Sequence, residues 1–257
     1  MPAHQIEYEL LCEWGWRGAA QLAQASDVVI IVDVLSFSTA VDIAVSNGAM
    51  VFPYGAPDNS LADYALLRGA QVAQAIRSHS GYSLSPASLT GIEAGYRLVL
   101  SSPNGGALSR ETGLLSYQDS SQPAIILTAC LRNATAVARA ANDSGATIAV
   151  IPAGERWPDG SLRPSLEDWL GAGAVLSALR GRPSPEARVA VSAFRELRND
   201  LGPALRGCYS GQELLERGFA RDLELAAELD VSLTVPCLCD GAFAPASRRL
   251  ERRCGGQ

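Results

Sequence analysis

Asp33 stands at the end of the apolar run Ile30-Ile31-Val32, and the hydroxyls Ser36, Ser38 and Thr39 follow it. Downstream the pattern returns. Ser101, Ser102, Asn104, Gly105 and Gly106 follow the run "RLVL", Arg132 and Asn133 follow "PAIILTAC", and Glu155 and Arg156 follow "TIAVIPAG". The stretch "PSLEDWLGAG" adds Glu167 and Asp168 at a helix start. Hydroxyls and glycines at helix N-termini favour an anion, because unpaired backbone N–H groups point at it. Carboxylates favour a hard cation bound through oxygen, such as Mg²⁺. A site that wants both suits a phosphate ester.

Each piece alone has a plainer reading. Ser165-Leu166-Glu167-Asp168 fits a helix-capping pattern, and acids in a first turn also suit the helix dipole. Pro103-Asn104-Gly105-Gly106 reads as a turn, and Arg132 as a solvated side chain. Asp33 reads as a cap for the helix that starts near Phe37, although Ser36 is the more natural cap. The recurrence at successive strand ends favours a site, since ligands of open α/β sheets bind beyond the carboxyl ends of the strands.

The elements that must position these residues are short apolar runs alternating with helical patterns. Strands are expected at 27–35, 50–55, 97–103, 123–130, 147–154 and 231–238, each apolar enough to be buried on both faces. Helices are expected at 37–49, closed by Asn47-Gly48, and in "NSLADYALLRG", "NGGALSRE", "NATAVARAAND" and "SLEDWLGAGAVLSALRG", with more helix over 184–230. Residues 78–91 are the longest loop candidate. The alternation predicts an α/β fold, three layers α/β/α around a largely parallel or mixed sheet. A single domain is expected over 1–257, with its core at about 26–238 and a frayed tail at 245–257.

The chain has 257 residues, 47% of them apolar and 19% charged, which suits a globular protein with a sizeable core. Its net charge of -6 gives no basic footprint for nucleic acid. No apolar run approaches the roughly 20 residues of a membrane span, and the N-terminus lacks the features of a signal peptide. The expected location is the cytoplasm, without nucleic-acid or membrane partners; a homo-oligomer stays open. All 21 basic residues are arginine, which excludes a P-loop or Schiff-base lysine. Two histidines, His4 and His79, are too few for a multi-histidine zinc centre. The six cysteines are scattered and read as free, mostly buried thiols, Cys237 and Cys239 included. Cys130, between a strand and a helix, is a nucleophile candidate without a histidine nearby in sequence.

The stretches "VVIIVDVLSFSTAVDIAVSNGA", "RLVLSSPNGGAL", "LRNATAVA", "IPAGERWPDGSLRPSLEDWLGAGAV" and "GFARDLELAAELDVSLTVPCL" resemble, in order and spacing, the 2-phosphosulfolactate phosphatase family of coenzyme M biosynthesis. The resemblance implies a Mg²⁺-dependent phosphatase acting on a small phosphorylated organic acid. Carried onto this chain, it implies a catalytic group of Asp33, Asn104, Glu167 and Asp168, with Asp33, Glu167 and Asp168 gathering the metal. Ser36, Ser38, Thr39, Gly105 and Gly106 would hold phosphate oxygens, and Arg132, Asn133 and Arg156 the acid end. Phosphate monoester hydrolysis needs accelerations up to ~10²¹. An exposed helix terminus supplies only about 0.3–1 kcal/mol, whereas a divalent ion supplies several. Two departures stand out. The family's first block runs Asp-Val-Leu-Arg, and position 36 here is serine. The family's Gly-Glu-Arg-Gly and Asn-Ser-Pro pieces are here "AQAIRSHSGYSLSP". They motivate an alternative from another class, a catalytically impaired homologue that binds or senses small anions.

Overall fold

The computed structural model describes residues 7–74, 76–78, 80–118 and 123–246. Most of the expected tail (247–257), with Cys254, and both histidines lie outside them. The strands are β1 (Leu10–Cys12), β2 (Val28–Val32), β3 (Met50–Tyr54), β4 (Gln71–Val72), β5 (Arg97–Ser101), β6 (Ile125–Ala129), β7 (Ile148–Pro152), β8 (Glu155–Arg156), β9 (Leu162–Arg163), β10 (Pro236–Cys239) and β11 (Ala242–Pro245). The helices are α1 (Gly15–Leu22), α2 (Phe37–Ser46), α3 (Leu61–Leu67), α4 (Gly105–Gln118), α5 (Ala134–Asn142), α6 (Leu166–Ala178), α7 (Pro185–Leu197), α8 (Leu201–Gly207), α9 (Tyr209–Glu216) and α10 (Ala220–Ala226).

β2 shows why the apolar runs become strands. All five of its residues are fully buried. Val28, Ile30 and Val32 join one core with α5, α6 and α7, whereas Val29 and Ile31 join another with α1 and Leu108 of α4. A strand covered on both faces needs no polar alternation, and each such side chain contributes about 1.5–3 kcal/mol. Across the sheet, Leu98 and Leu100 pack on α2, and Val99 packs on the opposite side with Ala65 of α3. The result is the expected three-layer α/β/α arrangement.

Nine strands form one sheet in the order β1-β7-β2-β6-β10-β11-β3-β5-β4, and β8 and β9 form a separate ribbon. β1, β7, β2 and β6 are mutually parallel, as are β3, β5 and β4. The hairpin β10–β11 joins these blocks with antiparallel pairings on both sides. Three antiparallel pairings in succession make the two blocks run in opposite senses, so the sheet is mixed. α2 stops at Asn47-Gly48 as expected: Gly48 takes φ +85°, and the N–H groups of Gly48 and Ala49 close back on Val45 and Ala44. Sequence periodicity missed β1, α1, β4, the ribbon and β11, all short. Among the described residues no helix is long and apolar enough to cross a membrane.

Candidate active site

The chain leaves β2 at Asp33 and turns at once into α2. The Asp33 carboxylate accepts the N–H of Ser36 (3.0 Å) and of Phe37 (3.4 Å) on Oδ1, and the N–H of Gly105 (2.8 Å) on Oδ2. One carboxylate thus caps α2 and α4 together, and it ties the loop after β5 to the end of β2. A side chain at 105 has no room, because its Cβ would lie 2.6 Å from Asp33 Oδ2. Burial pushes the Asp33 carboxyl above its ordinary value; the three N–H bonds oppose this, and the charge of Glu167 adds to it. Ser38 and Thr39 are fully buried and hold the turn. Ser38 Oγ accepts the Asp33 N–H (2.9 Å) and bonds Thr128, and Thr39 Oγ1 donates to the Val34 carbonyl.

Asp168 is a second anchor. Its Oδ1 accepts Val34 N–H (2.7 Å), and its Oδ2 accepts Gly154 N–H (2.8 Å) and Ser165 Oγ (2.9 Å). These bonds pin the start of α6 to the ends of β2 and β7; Ser165 is the N-cap, but its hydroxyl serves the Asp168 carboxylate and caps no helix N–H, so the capping box expected at residues 165–168 does not form. Burial, then the charges of Asp33 and Glu167, raise the Asp168 carboxyl well above the usual range. Glu167 is 2% exposed, and its charge helps burial to push the nearby Cys208 thiol up to about 12. Asp33, Glu167 and Asp168 feel one another's charge. Yet among the described residues no three His, Cys, Asp or Glu side chains group closely enough to hold a metal ion together.

A cleft of about 300 Å³ opens over Asp33. Asp33, Ser36, Ser102, Asn104 and Glu155 line it, and Arg77 and Arg217 face it as well. Asn104 Nδ2 donates to Glu155 Oε2 (2.7 Å). Burial, and then the Asp33 charge, push the Glu155 carboxyl up to about 7 against that bond. The sequence reading grouped Glu155 with the strand-end residues and gave it no role. Arg77, inside the quoted stretch "AQAIRSHSGYSLSP", has no role in that reading either. Arg77 stands just before the 78–91 loop candidate, in a stretch without periodicity, and its guanidinium bonds both Ser36 Oγ and the buried Asp222. The serine that replaces the expected arginine therefore carries a guanidinium after all, delivered from elsewhere in the chain.

Other expected residues lie apart. Arg132 pairs with Asp42 (Nε, 3.0 Å) and Glu228, and it donates to the Leu225 carbonyl. Asn133 accepts the Cys130 N–H and donates to the Thr234 carbonyl. Neither lines the cleft. The reason is directional: residues after β6 face α2, α10 and the loop before β10, not the end of β2. Gly106 packs on the Tyr54 carbonyl, which a Cβ would meet at 2.4 Å. Arg156 donates to the Pro103 carbonyl and borders a neighbouring cleft of about 430 Å³, which shares Asn104 and Glu155. Burial pushes the Cys130 thiol up to about 12, the wrong direction for a nucleophile. Cys237 and Cys239 lie on β10, with their sulfurs 3.6 Å apart.

The family model of the 2-phosphosulpholactate phosphatases matches residues 18–241. A probable 2-phosphosulfolactate phosphatase of Gloeobacter violaceus is 30% identical over 218 residues, 82% of this chain and 87% of that protein. One of Carboxydothermus hydrogenoformans is 29% identical over 245 residues, 90% of this chain and 96% of that protein. The 2-phosphosulfolactate phosphatase of Methanothermobacter thermautotrophicus is 31% identical over 115 residues, 45% of this chain and 48% of that protein.

Proposed function

Because the chain belongs to the 2-phosphosulfolactate phosphatase family, whose members are phosphoric monoester hydrolases, we propose that the cleft over Asp33 hydrolyses a small phosphorylated organic acid of that type with Mg²⁺. One observation carries this reading. Two carboxylates, Asp33 and Glu155, share a cleft, and the charge of the first helps to hold the second near 7. A buried acidic pair of this kind is an oxygen-donor set with charge to spare, which suits a hard divalent ion.

Mg²⁺ is bound by one or two carboxylates plus water and substrate, so the lack of a three-acid cluster does not count against it. Asp33 and the Asn104 Oδ1 would hold the ion, and Glu167 behind them adds negative charge. When bound, the ion neutralises charge on the phosphoryl oxygens. Asn104 Nδ2 fixes Glu155 through Oε2, leaving Oε1 to take the proton of the attacking water. A general base poised near the working pH contributes about 10²–10⁴-fold. With a cation on Asp33 the repulsion felt by Glu155 falls, so its carboxyl moves down toward the ordinary range. Asp168 acts through position, by fixing Val34 and hence the end of β2.

The test is phosphate release from a panel of small phospho-acids, with Mg²⁺ and with EDTA. Turnover is expected with Mg²⁺ only, and its acid limb should move to lower pH as Mg²⁺ is raised. Asp33→Asn should lower turnover at least ~100-fold, from lost ion binding. It should also cost about 1–3 kcal/mol of stability, because its amide turns an N–H donor toward a backbone N–H donor. Full turnover in EDTA overturns the metal. The alternative, an impaired anion-binding homologue, draws on Ser36 and the altered stretch "AQAIRSHSGYSLSP". Arg77 on the Ser36 hydroxyl weakens that support, and absence of turnover across the panel would restore it.

A further inference from the structure

We propose that Arg77, assisted by Arg217, forms a second anion subsite in this cleft that holds the non-scissile acid group of the substrate, a sulfonate or carboxylate. The proposal rests on the phosphatase reading above and deepens it. Arg77 lines the cleft while its side chain is only 8% exposed. Its guanidinium is fixed in place. One terminal nitrogen pairs with Asp222, and the other donates to Ser36 Oγ. Asp222 is itself 1% exposed and held by Ser85 Oγ (2.6 Å) and Ala87 N–H (3.0 Å). A guanidinium carries five N–H donors in a rigid fork. Two of them have these partners, which leaves donors for an anion in the cleft and costs little further ordering on binding.

The charge of the wall points the same way. Arg77 and Arg217 flank one ring, with guanidinium carbons 5.4 and 5.9 Å from the Phe219 centroid. Asp222 balances one of these cations. Arg217 forms no ion pair among the described residues, including with Glu213 on the same cleft. Two guanidiniums, with Glu213 beside Arg217, therefore line the same cleft as the acidic pair Asp33 and Glu155, so the cleft offers groups for an anion and for a cation together. A substrate with a phosphate at one end and a second acid beside it satisfies both, whereas a neutral phosphate monoester satisfies one. Arginine suits sulfonate and carboxylate because its fork matches two oxygens at once.

The experiment compares a 2-phosphorylated sulfonate or carboxylate with a neutral alkyl phosphate of similar size. It uses wild type, Arg77→Lys, and the double variant Arg77→Met with Asp222→Asn. The double variant removes both members of the buried pair, so no unpaired charge is left to unfold the protein. Thermal melting checks that each variant is folded. The ratio of kcat/KM for the acidic over the neutral ester should fall about 10- to 100-fold in the double variant, with Arg77→Lys between it and wild type. An unchanged ratio overturns the subsite: with both rates as in wild type Arg77 is structural, and with equal losses on both esters it is a phosphate ligand. If wild type turns over neither ester, the phosphatase reading fails by itself. The subsite is then read by calorimetric binding of sulfoacetate, which should occur with wild type and be lost in the double variant. No binding to wild type overturns it.

Discussion

Two arginine–aspartate pairs sit in this molecule with the same chemistry and opposite surroundings. Arg132 reaches Asp42, and Asp42 is fully buried and also takes Ser232 Oγ (2.6 Å). Arg132 then spends its remaining reach on Glu228 and the Leu225 carbonyl. The pair is closed and over-supplied with acid, and it ties α2 to α10 and to the loop before β10. Arg77 reaches Asp222, and beyond Ser36 its fork opens on a cleft. The difference teaches that an arginine is marked for function by what its donors still lack, and its place in the chain says little about that.

The contrast predicts different responses to damage, and the largest is at the closed pair. Arg132→Met leaves Asp42 buried without its cation and should cost about 3–5 kcal/mol. Burial already holds the Asp42 carboxyl above its usual value with Arg132 beside it. Without Arg132 it rises further, so the loss should shrink as pH falls and Asp42 takes up a proton. Melting curves from pH 5 to 8 read this, and substrate preference should stay as in wild type. A stable Arg132→Met protein with altered preference would erase the distinction between the two pairs.

The open cleft should show a smaller effect of the opposite sign. The folded Glu155 carboxyl, at about 7, lies above its ordinary 4.5. Its contribution to stability is therefore fully present below about 4.5 and lost as pH rises through 7. Glu155→Gln should be more stable than wild type at pH 8, by roughly 1–3 kcal/mol, and nearly equal to it close to pH 4.5. Mg²⁺ should narrow the gap, and activity should fall. Lower stability of Glu155→Gln at pH 8 would show that the cleft is not electrostatically unbalanced. The smallest effect belongs to Glu228→Gln. Its side chain is 39% exposed, and an exposed partner contributes under about 1 kcal/mol. A larger loss on denaturant titration would mean that Arg132 depends on Glu228 more than on Asp42.

Strand-end reading finds Asp33, Asn104 and Glu155, all of which line the cleft, because each directly follows a strong apolar run; Asp168, read from the start of a helix, is buried and lies outside the lining. The meeting of Asp33 with Gly105 follows from the same logic, and so does the burial of Glu167. Arg132 and Asn133 share the strand-end signal but face elsewhere, since that signal does not encode which neighbour a loop looks toward. Arg77 lies in the stretch set against the family's Gly-Glu-Arg-Gly piece, but periodicity and strand ends gave it no role. Its role depends on Ser36 and Asp222, both far away in sequence, and only the folded chain brings them together. Strands β1 and β4, of three and two residues, carry too little pattern to stand out, and β11 hides in what reads as the approach to a tail.

The hairpin β10–β11 sits in the middle of the sheet, yet it comes last of the strands in chain order. Before it is in place, β6 and β3 each present a bare edge of unpaired N–H and C=O groups. Such edges invite pairing with another chain. The two parallel blocks therefore wait on distant contacts, Cys237 with Leu127 and Phe243 with Val51, and topologies of this kind fold slowly. A chain leaving the ribosome carries two sticky half-sheets until residues 236–245 arrive to zip them together, so the growing polypeptide is the form of this protein most in need of a chaperone.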